Sequence, residues 1–179
     1  MISVTAAVVV LAACASAGTK PDLPPLTLAP NVDLPRFMGD WYVIASIPTR
    51  FEKGAHNARE SYRLEADGSI DTVFSFRADS FDGRLREFHS RGFVLAPGNA
   101  VWGQQYLWPF KADYRISFVA DDYSQTVITR EKRDWVWIMA RTPTMEEGDY
   151  QRLLALVGRE GYDMAKVQRV PQQAEGRLR

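Results

Sequence analysis

From Asp33 to Arg141 apolar residues return at every second position in one short run after another, a period suited to strands that bury one face of a sheet. In Ile70-Asp71-Thr72-Val73-Phe74-Ser75-Phe76-Arg77, the residues Ile70, Thr72, Phe74 and Phe76 share a face, and Asp67-Gly68 joins this run as a hairpin to Tyr62-Arg63-Leu64-Glu65. Similar runs fall at 40–47, 57–66, 69–77, 85–95, 100–107, 113–120, 125–131 and 134–140, punctuated by Asp82-Gly83, Pro97-Gly98-Asn99 and Asp121-Asp122. Eight short antiparallel strands in series predict an all-β up-and-down barrel or a sandwich. One helix follows. Thr144-x-x-Glu147 reads as a capping box, Tyr150, Leu153, Leu154 and Val157 form a single apolar stripe, and Gly161 ends the helix. Trp135, Trp137 and Met139 alternate with Val136 and Ile138, so the last strand is apolar on both faces. One face is expected to meet the helix and the other an interior.

The 179 residues are 46% hydrophobic, enough for one sizeable core. Lys and Arg number 22 and Asp and Glu 22, a balance that leaves no electrostatic footprint for nucleic acid, and none is expected as a partner. A single cysteine cannot form an intramolecular disulfide. With only His56 and His89 beside it, a Cys/His zinc site is not expected, nor is any cofactor. Neither histidine has an evident nucleophile partner, so the chain is read as a non-enzyme. Aromatic residues make up 12% of the chain, which favours large, flat, apolar surface.

The N-terminal run Val4 to Ala13 is too short to span a bilayer. It ends in Leu11-Ala12-Ala13-Cys14, which resembles a bacterial lipobox. The resemblance implies that residues 1–13 are a signal peptide and that Cys14 is acylated and attached to a membrane. Ala15, not Asp, follows the cysteine, which by the same resemblance implies the outer membrane, with the domain facing the periplasm. Pro21, Pro24, Pro25 and Pro30 make residues 14–32 read as an extended tether. The folded domain is placed at 33–173 and a polar tail at 174–179.

Three motifs make the barrel reading specific: Phe37-Met38-Gly39-Asp40-Trp41-Tyr42, Asp121-Asp122-Tyr123 and Arg141-Thr142-Pro143. Together they resemble the three landmarks of the lipocalins. Arg50-Phe51-Glu52-Lys53-Gly54, Trp137-Ile138 ahead of Arg141 and Arg159-Glu160-Gly161-Tyr162-Asp163 are most similar to the bacterial outer-membrane lipoprotein lipocalins and their apolipoprotein D-like relatives. The resemblance implies an eight-stranded antiparallel up-and-down β-barrel with one C-terminal helix packed outside. In that frame Gly39 permits a tight bend, Trp41 plugs one end, and Arg141 lays its guanidinium over the indole, so these three close the barrel.

Side chains alternate between lumen and exterior along each strand of such a barrel. Starting from an inward Trp41, parity selects Val43 and Ala45, then Glu60, Tyr62 and Leu64, then Thr72, Phe74 and Phe76. Later strands add Phe88, Ser90, Trp102, Gln104, Tyr106, Tyr114, Ile116, Val127, Trp135 and Trp137. The candidate ligand-binding residues are Tyr62, Phe74, Phe76, Phe88, Gln104, Tyr106, Tyr114, Ile116, Trp135 and Trp137. Glu60 and Arg86 are placed at the open mouth. An aromatic lining with few polar atoms suits an elongated apolar ligand held at one polar end, a fatty acid or a lysophospholipid. The sequence leaves other readings open: a carrier of a rigid retinoid or tetrapyrrole, a lipocalin-type enzyme, or a structural envelope protein with a filled barrel. A homodimer is also an option by resemblance.

Overall fold

Each alternating run becomes a strand in the computed structural model, which describes residues 23–173. Cys14, the residues before it and the tail at 174–179 lie outside the described residues. The strands are β1 (Gly39–Ile47), β2 (Ala55–Leu64), β3 (Ile70–Ala78), β4 (Leu85–Val94), β5 (Val101–Leu107), β6 (Phe110–Val119), β7 (Gln125–Thr129) and β8 (Val136–Ala140). Each pairs antiparallel with the next, and β1 also pairs with β8, which closes the sheet into a barrel. Closure leaves none of the eight with a full unpaired edge.

Three short features were not anticipated from sequence. Asp33 caps α1 (Leu34–Phe37), accepting the Arg36 N–H at 3.2 Å, with Pro35 in the first turn. A 3-10 turn at Met164–Lys166 leads into β9 (Gln168–Arg169), which pairs with β1 at Ala45 and Ser46. The β1–β2 ladder runs only from Gly39 to Tyr42, so β9 takes the edge that β1 exposes beyond it.

Helix α2 (Glu147–Arg159) buries Tyr150, Leu153 and Val157 on the outside of the barrel, against Val127, Val136, Ile138 and Ala140. The expected capping box does not form. Glu146 is the N-cap without a side-chain bond, and the Thr144 carbonyl accepts from the Thr142 hydroxyl at 2.7 Å, so this segment is a turn that precedes the helix. Gly161, at φ +84°, leaves the helix in the left-handed region.

Two bulges and one strand end correct three inward assignments. A bulge between Val43 and Ala45 turns Ala45 onto the helix side and brings Ser46 opposite Trp137. A second bulge, between Ile116 and Phe118, pairs Ile116 with Ile128, so Ile128 faces the lumen and Val127 lies under α2. Leu64, at the end of its strand, is 38% exposed.

The tether reading is also revised for its described part. The folded unit starts before Asp33, because Leu26, Ala29 and Val32 are buried. The Val32 N–H donates to the Gly98 carbonyl and the Ala29 N–H to the Ile116 carbonyl, both at 2.9 Å. Backbone groups on this segment find partners on the barrel, which a free tether would not offer.

One end of the barrel is closed by Trp41 and Arg141. The indole N–H donates to the Phe37 carbonyl at 2.8 Å, and the guanidinium carbon lies 3.8 Å from the ring centroid. The same guanidinium donates to the carbonyls of Arg36, Met38 and Asp40 at 2.8 Å each and of Phe37 at 3.1 Å. Gly39, at φ +91°, takes the left-handed conformation that favours glycine, and its Cα lies close under Arg141, where even a Cβ would stand at a contact distance of 3.4 Å from Nη1. Replacing Arg141 by Met should lower unfolding stability by about 2–4 kcal/mol through lost cation–π and carbonyl contacts. Arg141→Lys should recover only part of it, because an ammonium has no planar fork; urea denaturation of the two variants measures both losses.

Candidate functional site

Above the plug the lumen is solid. Phe37 stands 5.1 Å from Trp41 and 5.5 Å from both Tyr62 and Trp102, ring centroid to centroid. The Tyr62 and Tyr114 hydroxyls are hydrogen-bonded to each other, and burial pushes both phenols up from their ordinary range. Two expected ligand residues, Tyr62 and Ile116, therefore belong to the packed lower half.

The upper half holds a cavity of about 350 Å³. Seven of the ten sequence candidates line it: Phe74, Phe88, Gln104, Tyr106, Tyr114, Trp135 and Trp137. The rings form a continuous wall, with Trp135 and Trp137 4.9 Å apart and Phe74 stacked on Trp137 at 5.2 Å. Phe76 lies outside this cavity. It stacks on Phe88 at 6.1 Å and faces a neighbouring hollow of about 290 Å³ lined also by Arg50, Phe51, Lys53, Ala78, Asp79 and Arg86. Phe51 and Phe88 are shared between the two, so an apolar cavity opens beside a hollow that carries three cations against one acid.

The sequence reading missed Thr49, Phe51, Glu52, Ala112, Asp113 and Arg130 in the cavity wall. Four of them, Thr49, Phe51, Glu52 and Arg130, lie outside the strands, where alternation says nothing about direction. Arg50-Phe51-Glu52-Lys53-Gly54 was the one available signal, and it pointed to kinship and not to a lining role.

Polar groups in the lumen are few. The Gln104 side-chain amide donates to the Thr72 hydroxyl at 3.3 Å and accepts from Ser90 at 3.5 Å. The Glu52 carboxylate accepts from the Thr49 hydroxyl at 3.0 Å and the Thr49 N–H at 3.3 Å, while burial raises its pKa. Glu60 corrects the sequence reading most sharply. It lies mid-strand on the inner wall, paired with Trp41 and Phe74 across the two ladders, and is 1% exposed instead of sitting at the mouth. Its Oε2 has no hydrogen-bond partner. Desolvation first, and the charge of Glu52 second, hold its carboxyl well above the usual carboxylate range. Arg130 Nε is likewise buried without a partner, so two unsatisfied polar atoms belong to residues in or beside the cavity.

The rim is apolar. Tyr106 is 52% exposed, and at the β5–β6 tip Leu107, Trp108 and Phe110 are 72%, 81% and 73% exposed.

Residues 32–172 match the family model described as a lipocalin-like domain. The chain is 29% identical over 170 residues to the outer membrane lipoprotein Blc of Escherichia coli, covering 93% of this chain and 92% of that protein. It is 30% identical over 149 residues to temperature-induced lipocalin-1 of Arabidopsis thaliana, covering 79% and 80% respectively. Among solved structures, insecticyanin from Manduca sexta superposes with a TM-score of 0.65 at 13% identity, covering 86% of this chain and 87% of that one.

The orphaned Glu60 sets a pH dependence. In the unfolded chain its carboxyl titrates near the ordinary 4.5, while in the fold it holds its proton to higher pH. Below that ordinary value both states are protonated and the penalty is absent. As pH rises through the raised folded value, the unfolded state is increasingly favoured. Glu60→Gln should therefore gain stability over the parent progressively with pH in a series of urea melts. Parallel curves for the two proteins would contradict the assignment.

Proposed function

This chain belongs to the lipocalin family, and from that membership we propose that it carries a fatty acid or lysophospholipid. The acyl chain occupies the aromatic cavity, and the anionic head lies in the basic hollow of Arg50, Lys53 and Arg86. The observation that carries this reading is the shared border at Phe51 and Phe88, where an apolar cavity passes directly into cationic surface. A chain is best desolvated by the first and an anionic head best met by the second. Because the lower lumen is already filled by Phe37, Trp41, Tyr62 and Trp102, the ligand sits in the upper half only.

Attachment to the outer membrane through an acylated Cys14 completes the proposal. It is supported by the Leu11-Ala12-Ala13-Cys14 sequence and by the similarity to outer membrane lipoproteins. No catalytic role is assigned. The His56 ring shares a hydrogen bond with the Gly54 carbonyl at 2.9 Å and packs edge-on to Phe81, and His89 is exposed.

Titration of the full-length chain with palmitic acid and with lysophosphatidylglycerol, followed by tryptophan quenching, tests the ligand class. Saturable one-to-one quenching is expected, with Trp137→Ala weakening both ligands. Arg50→Ala combined with Arg86→Ala should weaken them by about tenfold, the loss typical of a charged hydrogen-bond donor pair near the surface. A flat titration for both lipids would contradict the proposal. Intact mass measurement and cell fractionation of the parent and Cys14→Ser test the anchor: acyl mass and membrane association are expected only in the parent.

A further inference from the structure

The N-terminal segment does not leave the barrel where the domain begins. Val32 lies at the closed end, where its N–H donates to the Gly98 carbonyl and its carbonyl accepts from the Asn99 side chain, both at 2.9 Å. Going back along the chain, the segment climbs the outside of the barrel. Ala29 bonds Ile116, and Leu26 is buried in the apolar layer that also contains Val157 and Tyr162. The Thr27 N–H donates to the Glu160 carboxylate at 3.0 Å, just past the C-terminus of α2. The Pro24 carbonyl accepts from Arg133, in the β7–β8 loop at the mouth, and a Leu23 methyl lies 3.0 Å from where a Cβ on Gly161 would stand. The path toward Cys14 therefore departs from the open end.

The same end carries most of the exposed apolar surface. Of the six large apolar or aromatic residues more than half exposed among the described residues, Phe51, Tyr106, Leu107, Trp108 and Phe110 surround the mouth, and Leu95 does not. Arg50, Lys53 and Arg86 stand beside them. Trp with aliphatic neighbours and adjacent cations is the composition that settles at a bilayer interface with anionic headgroups.

We infer that the open mouth of the barrel docks face-down on the membrane that holds Cys14, with Leu107, Trp108 and Phe110 inserted at its interface. The inference rests on the proposed acylation of Cys14. Covalent reach argues for this orientation over its inverse. Eight residues, and so nine residue-to-residue steps, separate Cys14 from Leu23, a maximum span of about 30 Å. Strands β2, β4 and β6 are ten residues long, and at the usual barrel tilt this gives a height of about 25 Å. With the closed end toward the membrane, the linking residues would have to run back down that whole height almost fully extended. With the mouth toward the membrane they need to span only a short gap, and an acyl chain passes from bilayer to cavity with little exposure to water.

The test uses the full-length acylated chain reconstituted into vesicles of phosphatidylethanolamine and phosphatidylglycerol containing brominated acyl chains. Trp108 fluorescence, taken as the difference between the parent and Trp108→Phe, should be quenched by the brominated lipid. The double variant Leu107→Ser, Phe110→Ser should lose at least most of that quenching while binding palmitic acid in solution as the parent does, since neither residue lines the cavity. An anchored parent whose Trp108 is unquenched, or a double variant quenched as strongly as the parent, would overturn the inference and leave the ligand proposal standing. Purified chain with no acyl mass on Cys14 would overturn the inference together with the anchor it rests on.

Discussion

The barrel depends on a cation laid across an indole. Arg141 covers Trp41 at 3.8 Å and binds four carbonyls of the chain between Arg36 and Asp40. It thereby ties the end of β8 to the entry of β1, the two strands whose pairing closes the sheet. A lone hydrogen bond there would contribute little. A planar, permanently charged fork satisfying several carbonyls while stacked on a buried ring is a much stronger fastening. Once that end is shut, the aromatic residues above it fill the lower lumen, and any ligand space must lie toward the other end.

The upper lumen is consequently asymmetric. Its walls are rings, yet Glu60 Oε2 and Arg130 Nε are buried without partners. A purely structural core would be expected to replace or satisfy such groups, because leaving them unpaired is costly. Their retention around a cavity fits a site that keeps hydrogen-bonding capacity for something that is not part of the chain. Burial raises the carboxyls of both Glu52 and Glu60, Glu60 the more strongly, so the interior disfavours negative charge. Cations gather instead in the adjoining hollow, at Arg50, Lys53 and Arg86.

The N-terminal segment adds direction to this arrangement. Its docking along α2 turns a stretch rich in proline into a strut that ends beside the mouth. Opening, apolar rim, basic hollow and the end of the described N-terminal segment then share one end of the molecule, the geometry that the proposed exchange of lipid with an anchoring membrane needs.

Alternation was enough to read the eight strands, because the period of two is a local property of the backbone, and once the three motifs selected a barrel over a sandwich it gave the inward side of most of them. The helix stripe of Tyr150, Leu153 and Val157 was legible for the same reason, and Gly39, Trp41 and Arg141 could be placed because they form a motif. Seven cavity residues were found by counting along strands. Two strand bulges reversed the count at Ala45 and at Val127, since a bulge inserts a residue without a compositional mark. The burial of Glu60 and the lining roles of Phe51, Glu52 and Arg130 were decided by which loops and walls converge in space. The docking of Leu26 to Val32 was decided in the same way, by unpaired groups on the barrel that a neighbouring segment could satisfy. Sequence determined what each strand can face, because that follows from bonded geometry. Only tertiary structure decided where the lumen ends, which charges it encloses and where the chain leaves it, because those depend on contacts between residues far apart in the chain.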